Sequence, residues 1–147
     1  MKRKEKDYTV ITGCGRLGAT IANTLSDENK NVMVVDSDED SLRKLSSSFA
    51  GQTYVGDASD YFVLDEINLK KANVVIVVTH KDNLNIMLAQ IAKEIYHVER
   101  VIARLYDPER DVVYKELGIE TIYPAYLESE QLMQWYNKVE AKSDEDR

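Results

Sequence analysis

The chain has 147 residues, 44% hydrophobic and 31% charged, with 6 Gly and 2 Pro, a mix that excludes a disordered, collagen-like or membrane-embedded protein and suits one domain with a single core. The 19 Lys and Arg against 26 Asp and Glu leave a net charge of -7, which argues against a protein built to hold a nucleic-acid backbone. A single Cys allows neither an internal disulfide nor a thiolate zinc cluster and fits a reducing cytoplasm.

Residues 1–6, with Lys2, Arg3, Lys4 and Lys6, read as a basic N-terminal arm, solvated or set against an acidic partner or anionic lipid. They do not resemble a signal peptide. The domain itself is expected over residues 7–140. Tyr8, Thr9, Val10, Ile11 and Thr12 form a β-branched run, and the turn Gly13-Cys14-Gly15-Arg16-Leu17-Gly18 leads into helix-period residues Leu17, Ile21, Ala22 and Leu25. A second strand over residues 31–35 ends at Asp36, and residues 37–40 cap a helix expected to carry Leu42, Leu45 and Phe49. Thr53 to Val55 make a third strand, closed by Gly56-Asp57-Ala58, before a helical or irregular link through Phe62, Leu64, Ile67 and Leu69.

Residues 74–78 are apolar on both faces, as in a central parallel strand. This is the longest apolar run, far short of the roughly 20 residues that cross a bilayer. Helical spacing over residues 82–96 places Leu84, Met87, Leu88 and Ile91 on one face, either core or interface. A fifth strand at residues 101–103 ends at Arg104; Asp107-Pro108 opens a helix over residues 109–117, stopped by Gly118. A sixth strand follows at residues 120–123, and after a break at Pro124 a last helix spans residues 127–139, its Leu132, Met133, Trp135 and Tyr136 either core or a docking face. Residues 141–147 read as a charged tail. Six strands alternating with helices predict an α/β fold: a Rossmann-like, doubly wound, six-stranded parallel sheet in three α/β/α layers.

A bare G-x-G-x-x-G is a weak signal; between a strand and a helix it is the context that phosphate binding requires. Gly13 permits the tight turn, Gly15 lets a pyrophosphate approach the main chain, and Gly18 allows close helix packing. The anion would rest on the helix N-terminus. Asp36 stands 18 residues past Gly18, near the spacing at which a carboxylate reaches ribose hydroxyls, and it would repel a 2′-phosphate, so NADP is disfavoured. Cys14 is either a redox thiol or a small residue packed in the turn. His80, at the carboxyl edge of the fourth strand, is a general base, a ligand-lining residue or an exposed loop residue. Asp57 and Ala58 close the third strand where an adenine would lie, and Arg104 either engages phosphate or makes a structural salt bridge.

Taken in order, Val10-Ile11-Thr12-Gly13-Cys14-Gly15-Arg16-Leu17-Gly18, Val34-Val35-Asp36, Gly56-Asp57-Ala58, Val78-Thr79-His80-Lys81-Asp82-Asn83-Leu84-Asn85 and Ile102-Ala103-Arg104-Leu105-Tyr106-Asp107-Pro108 resemble the TrkA-N family, the nucleotide-binding N-lobes of RCK domains. The resemblance implies that Gly13, Gly15, Arg16 and Leu17 hold phosphates, Asp36 the adenosine ribose, and Asp57 with Ala58 the adenine edge. Thr79, His80 and Asp82 would line the opposite wall, and Arg104 would meet phosphate or stabilise the crevice. It implies NAD(H) or an adenine nucleotide (ATP, ADP or AMP) as ligand and no catalysis. It also implies a cytoplasmic gating subunit, peripheral to the membrane through a potassium-transporting partner, in a homo-oligomer or with a second RCK-like chain. A complete RCK chain continues into a second lobe for which this length leaves no room. A small NAD-dependent oxidoreductase, or a redox or nucleotide sensor unrelated to transport, is the competing reading.

Overall fold

Parallel strands need long crossovers, and each crossover here is a helix or helical turn. The computed structural model describes residues 7–146; the basic arm lies outside them. In chain order it contains β1 (Thr9–Thr12), α1 (Arg16–Asp27), β2 (Val32–Asp36), α2 (Glu39–Leu42), β3 (Gln52–Val55), α3 (Tyr61–Glu66), a 3₁₀ turn (Leu69–Lys71), β4 (Val74–Val77) and α4 (Asp82–Gln90). A π-helical turn (Ile91–Ile95), β5 (Arg100–Arg104), a second 3₁₀ turn (Pro108–Arg110), α5 (Asp111–Glu116), β6 (Glu120–Ile122) and α6 (Pro124–Glu145) complete it. Every strand pairing is parallel, in the order β3-β2-β1-β4-β5-β6. The order reverses between β1 and β4, where ligands settle in such sheets.

Strand alternation divides the core. Val10, Val35, Val75, Val77 and Val101 pack with Leu64, Leu88 and Ala92 on one face. Ile11, Val34 and Ile76 pack with Ala19, Ala22 and the partly buried Leu17 and Ile21 of α1 on the other. In register, Thr12 lies beside Val35 and Val77, so the carboxyl ends of the three central strands are level.

Several expectations are corrected. The helix that was to carry Leu42, Leu45 and Phe49 ends at Leu42. All three side chains still pack on the α1 face. The chain over residues 46–50 is instead tied to α1, with Ser46 N–H donating to Asn23 Oδ1 at 3.0 Å and Ala50 N–H to Ser26 Oγ at 2.9 Å. Both bonds reach side chains of α1 more than 20 residues away in sequence. Pro124 does not break the chain before the last helix but occupies its first turn, where its missing N–H costs nothing. That helix runs on through residues 141–145, so the charged tail is continuous with it. The helix over residues 82–96 changes to a π turn after Gln90. Three residues of its apolar stripe belong to the core, Leu88 buried and Leu84 and Ile91 packed against it, whereas Met87 is exposed. α6 is different, with Leu132, Met133, Trp135 and Tyr136 all exposed.

At the end of the sheet, Asp111 accepts hydrogen bonds from Thr121 Oγ1, from Tyr123 Oη at 2.7 Å and from Lys115 Nζ at 2.8 Å. The Lys115 ammonium first, then the two hydroxyls, hold its carboxyl down at about 2. One side chain thus joins α5, β6 and the residue before α6.

Candidate functional site: a cleft at the carboxyl edge

The β1–α1 turn is constrained from several directions at once. Gly13 has φ +101°, a conformation side chains resist, and a Cβ there would stand 2.8 Å from the backbone of Val78 and Thr79. Its N–H donates to Val35 O at 2.9 Å. Cys14 N–H donates to Asp36 Oδ2 at 2.8 Å, and Asp38 N–H to Asp36 Oδ1 at 2.8 Å. Asp36 therefore holds the turn to the end of β2. A carboxylate has about four lone-pair sites, so acceptor capacity remains for hydroxyls in the cleft.

The cleft, of about 400 Å3, opens over these residues. Gly13, Gly15, Arg16, Leu17, Asp36, Asp57, Ala58, Thr79, His80 and Arg104 all line it. Two of the expected residues stand elsewhere. Gly18 is a packing residue, since a Cβ there would lie 2.0 Å from Gly13 O. Asp82 does not line the cleft: its Oδ2 accepts from Tyr106 N–H at 2.8 Å, tying the first turn of α4 to the loop after β5. Such bonding suits a carboxylate at a helix N-terminus.

Charge is distributed unevenly around the rim, with Arg16, Lys44, Lys81 and Arg104 as cations and Asp36, Asp38 and Asp57 as carboxylates. Arg16 and Lys44 form no ion pair among the described residues. Asp57 sits well in its own loop, where the Ser59 hydroxyl (2.6 Å) and amide (2.8 Å) pull its carboxyl below the usual range. Arg104 neither points at a carboxylate nor forms the salt bridge expected as one alternative. Its Nη2 donates to Val78 O at 3.0 Å and to Thr79 O at 2.8 Å, so the guanidinium supports the end of β4.

Asn85, which the motif contains but which was not singled out, organises that wall. Only 1% exposed, it accepts from Thr79 N–H at 3.1 Å and from the Thr79 hydroxyl, and it donates to Thr79 O at 2.9 Å and Arg104 O at 2.8 Å. All its polar valences stay inside the chain. The detectable sequence signal is a polar residue on the same helical face as Leu88 and Ala92. Cys14 is fully buried, and burial first, then the Asp36 charge, pushes its thiol up against a smaller opposing effect of Lys44. That is the environment of an inert packed thiol, which resolves the choice against a redox role.

The donor set fits an anionic nucleotide. α1 has 12 residues and its N-cap, Gly15, has no side chain to cap it, leaving first-turn N–H groups for an acceptor from the cleft. A Cβ on Gly15 would meet nothing within 4 Å, so the open space over this glycine, unlike that at Gly13 or Gly18, is cleft rather than protein. Sheet order, glycine turn and acidic residue at the end of β2 together define a Rossmann-type lobe.

Within that class, the chain belongs to the TrkA-N domain family, whose model matches residues 9–124. It is 39% identical over 126 residues to the Trk system potassium uptake protein TrkA of Streptomyces coelicolor, covering 86% of this chain and 56% of that one. The chain spans about half the length of the curated relatives it matches. The same fold is seen in the Shewanella denitrificans Kef CTD in AMP-bound form, with TM-score 0.72, 19% identity and coverage of 86% of this chain and 77% of that one. It recurs in the GsuK channel bound to NAD, with TM-score 0.66, 17% identity and coverage of 83% and 22%. Among the described residues, no helix is long and apolar enough to cross a membrane.

Proposed function

We propose that this chain is a nucleotide-sensing regulatory lobe of a potassium uptake system, binding NAD(H) or an adenine nucleotide in the cleft between β1, β2 and β4. The observation that carries this reading is the uncapped N-terminus of α1 behind an open Gly15, beside a carboxylate with acceptor capacity to spare. In it, the turn Gly13, Gly15, Arg16 and Leu17 takes the phosphates, Asp36 the ribose, and Asp57 with Ala58 the adenine edge. Thr79 and His80 form the facing wall, and Arg104 acts by holding that wall in place. Asp36 and Asp38 both line the cleft, and two carboxylates at the ribose end oppose a 2′-phosphate, so NADP is the disfavoured ligand.

No bond needs to be broken for such a lobe to act. A ligand that fits one arrangement of the assembly better than another shifts the population toward it. The potassium-transporting membrane protein is the partner that this reading requires, with the lobe at its cytoplasmic side. Association with further copies or with a second RCK-like chain is supported by the exposed Leu132, Met133 and Trp135 on α6.

Isothermal titration with NADH, NAD, ATP, ADP, AMP and NADP tests the reading. Saturable one-site binding of at least one adenine ligand, with NADP at least about tenfold weaker, is the expected result. Preferential NADP binding would remove the role given to Asp36, and steady NADH turnover with a small substrate would replace regulation by catalysis.

A further inference from the structure

Buried side-chain hydroxyls are paired, because stripping one of its water without a replacement is costly. Thr12 departs from that rule. It is 2% exposed, and among the described residues its Oγ1 is the one buried side-chain polar atom without a hydrogen-bond partner. It also lines the cleft at the point where the strand order reverses.

The direction of the side chain follows from the strand. Ile11 packs on the α1 side of the sheet, whereas Val10 packs on the α4 side. Thr12, two residues beyond Val10, shares its face. Its register neighbour Val35 lines the cleft with it, as do Leu84 and Leu88 of α4. The phosphate cradle lies at the start of α1, on the opposite face. The hydroxyl therefore belongs to the α4 side of the cleft, with Val35, Leu84 and Leu88 among the lining there, and not to the α1 side where the phosphate cradle lies.

We propose that Thr12 is a nucleoside-contacting residue: its unpaired hydroxyl at the floor of the cleft hydrogen-bonds the purine nucleoside part of the bound nucleotide. The inference rests on the nucleotide-binding reading of the cleft and adds a contact that the glycine turn and Asp36 do not provide. Without ligand the hydroxyl is a liability to the fold; with ligand it gains its partner. Stability and affinity should consequently respond in opposite directions when it is removed, whereas a hydroxyl with a purely structural role would lower both.

The test compares wild type, Thr12→Val and Thr12→Ser by thermal unfolding without nucleotide and by titration with AMP, ADP, NADH and pyrophosphate. Thr12→Val should unfold at the same or a higher temperature. It should bind AMP, ADP and NADH about fivefold more weakly, the weight of one net hydrogen bond, with pyrophosphate affinity unchanged. Thr12→Ser should bind AMP within about twofold of wild type, since it keeps the donor and acceptor. AMP binding by Thr12→Val equal to wild type, or an equal loss for pyrophosphate and AMP, overturns the assignment while leaving the cleft a nucleotide site. A wild-type protein that binds none of the adenine ligands overturns the reading of the cleft and this contact together.

Discussion

Replacing Gly15 by Ala separates what the glycine turn does for the fold from what it does for a ligand. The backbone there has φ -78° and ψ -165°, extended geometry open to any residue, and the added methyl meets no atom within 4 Å. Two small terms then oppose each other. Restricting the unfolded chain stabilises by about 0.4–1 kcal/mol, and losing Gly for Ala at a helix N-cap costs a comparable amount, about 0.5–1 kcal/mol. The net should lie within about 0.5 kcal/mol of zero, a shift of no more than about 2 °C in Tm for a chain of this size. The methyl nevertheless projects into the space over the α1 N-terminus, where a phosphate must approach the main chain. Affinity for ADP or NADH should fall at least about tenfold. Gly18→Ala is the contrast, because a methyl 2.0 Å from Gly13 O forces the helix off the strand and should cost about 1–3 kcal/mol or more. Differential scanning fluorimetry and calorimetric titration on both variants supply the comparison. If Gly15→Ala loses stability as Gly18→Ala does, or binds ADP as wild type does, the open space over Gly15 has been misread.

Asn85→Ala should destabilise by about 3 kcal/mol, because it strips partners from the Thr79 amide, the Thr79 carbonyl and the Arg104 carbonyl in one step; urea denaturation measures it, and a loss under about 1 kcal/mol would mean that water replaces the side chain. Asp111 predicts a pH dependence of defined sign. Its folded value, about 2, lies below the ordinary carboxylate range, so its contribution is complete above about pH 4 and fades as pH falls toward 2. Urea midpoints between pH 5 and pH 2 should fall less steeply in Asp111→Asn than in wild type; parallel slopes would disprove the assignment.

Much of the architecture is legible in the residues because hydrophobic period and turn chemistry agree locally. The run from Val74 onward could only be a covered strand, and Gly118, with φ +76°, stops α5 where a residue tolerant of the left-handed region was expected. Gly13, Gly15 and Asp36 were readable for a similar reason: their spacing expresses a backbone requirement. What stayed hidden depends on partners distant in sequence. The chain after Leu42 leaves the helix because Asn23 and Ser26 of α1 claim its amides, and no local pattern encodes that. Asp82 looked like cleft lining by position, but the amide of Tyr106, 24 residues on, takes its carboxylate. Arg104 was read as a partner for phosphate or for a carboxylate because nothing nearby in sequence shows the two carbonyls at the end of β4.

α6 spans 22 residues, about 33 Å of helix, and none of them is buried. Its link to the sheet runs through the first turn, where Pro124, Ala125 and Glu128 border Arg104 to Tyr106, and through the Asp111–Tyr123 bond just before it. Most of its amide protons therefore do not depend on the core for protection and should exchange with solvent long before those of β1 and β4. Helical signal lost on mild heating would then report α6 alone, ahead of the cooperative melting of the sheet, and any surface that docks on the helix would register as a slowing of exchange over residues 124–145.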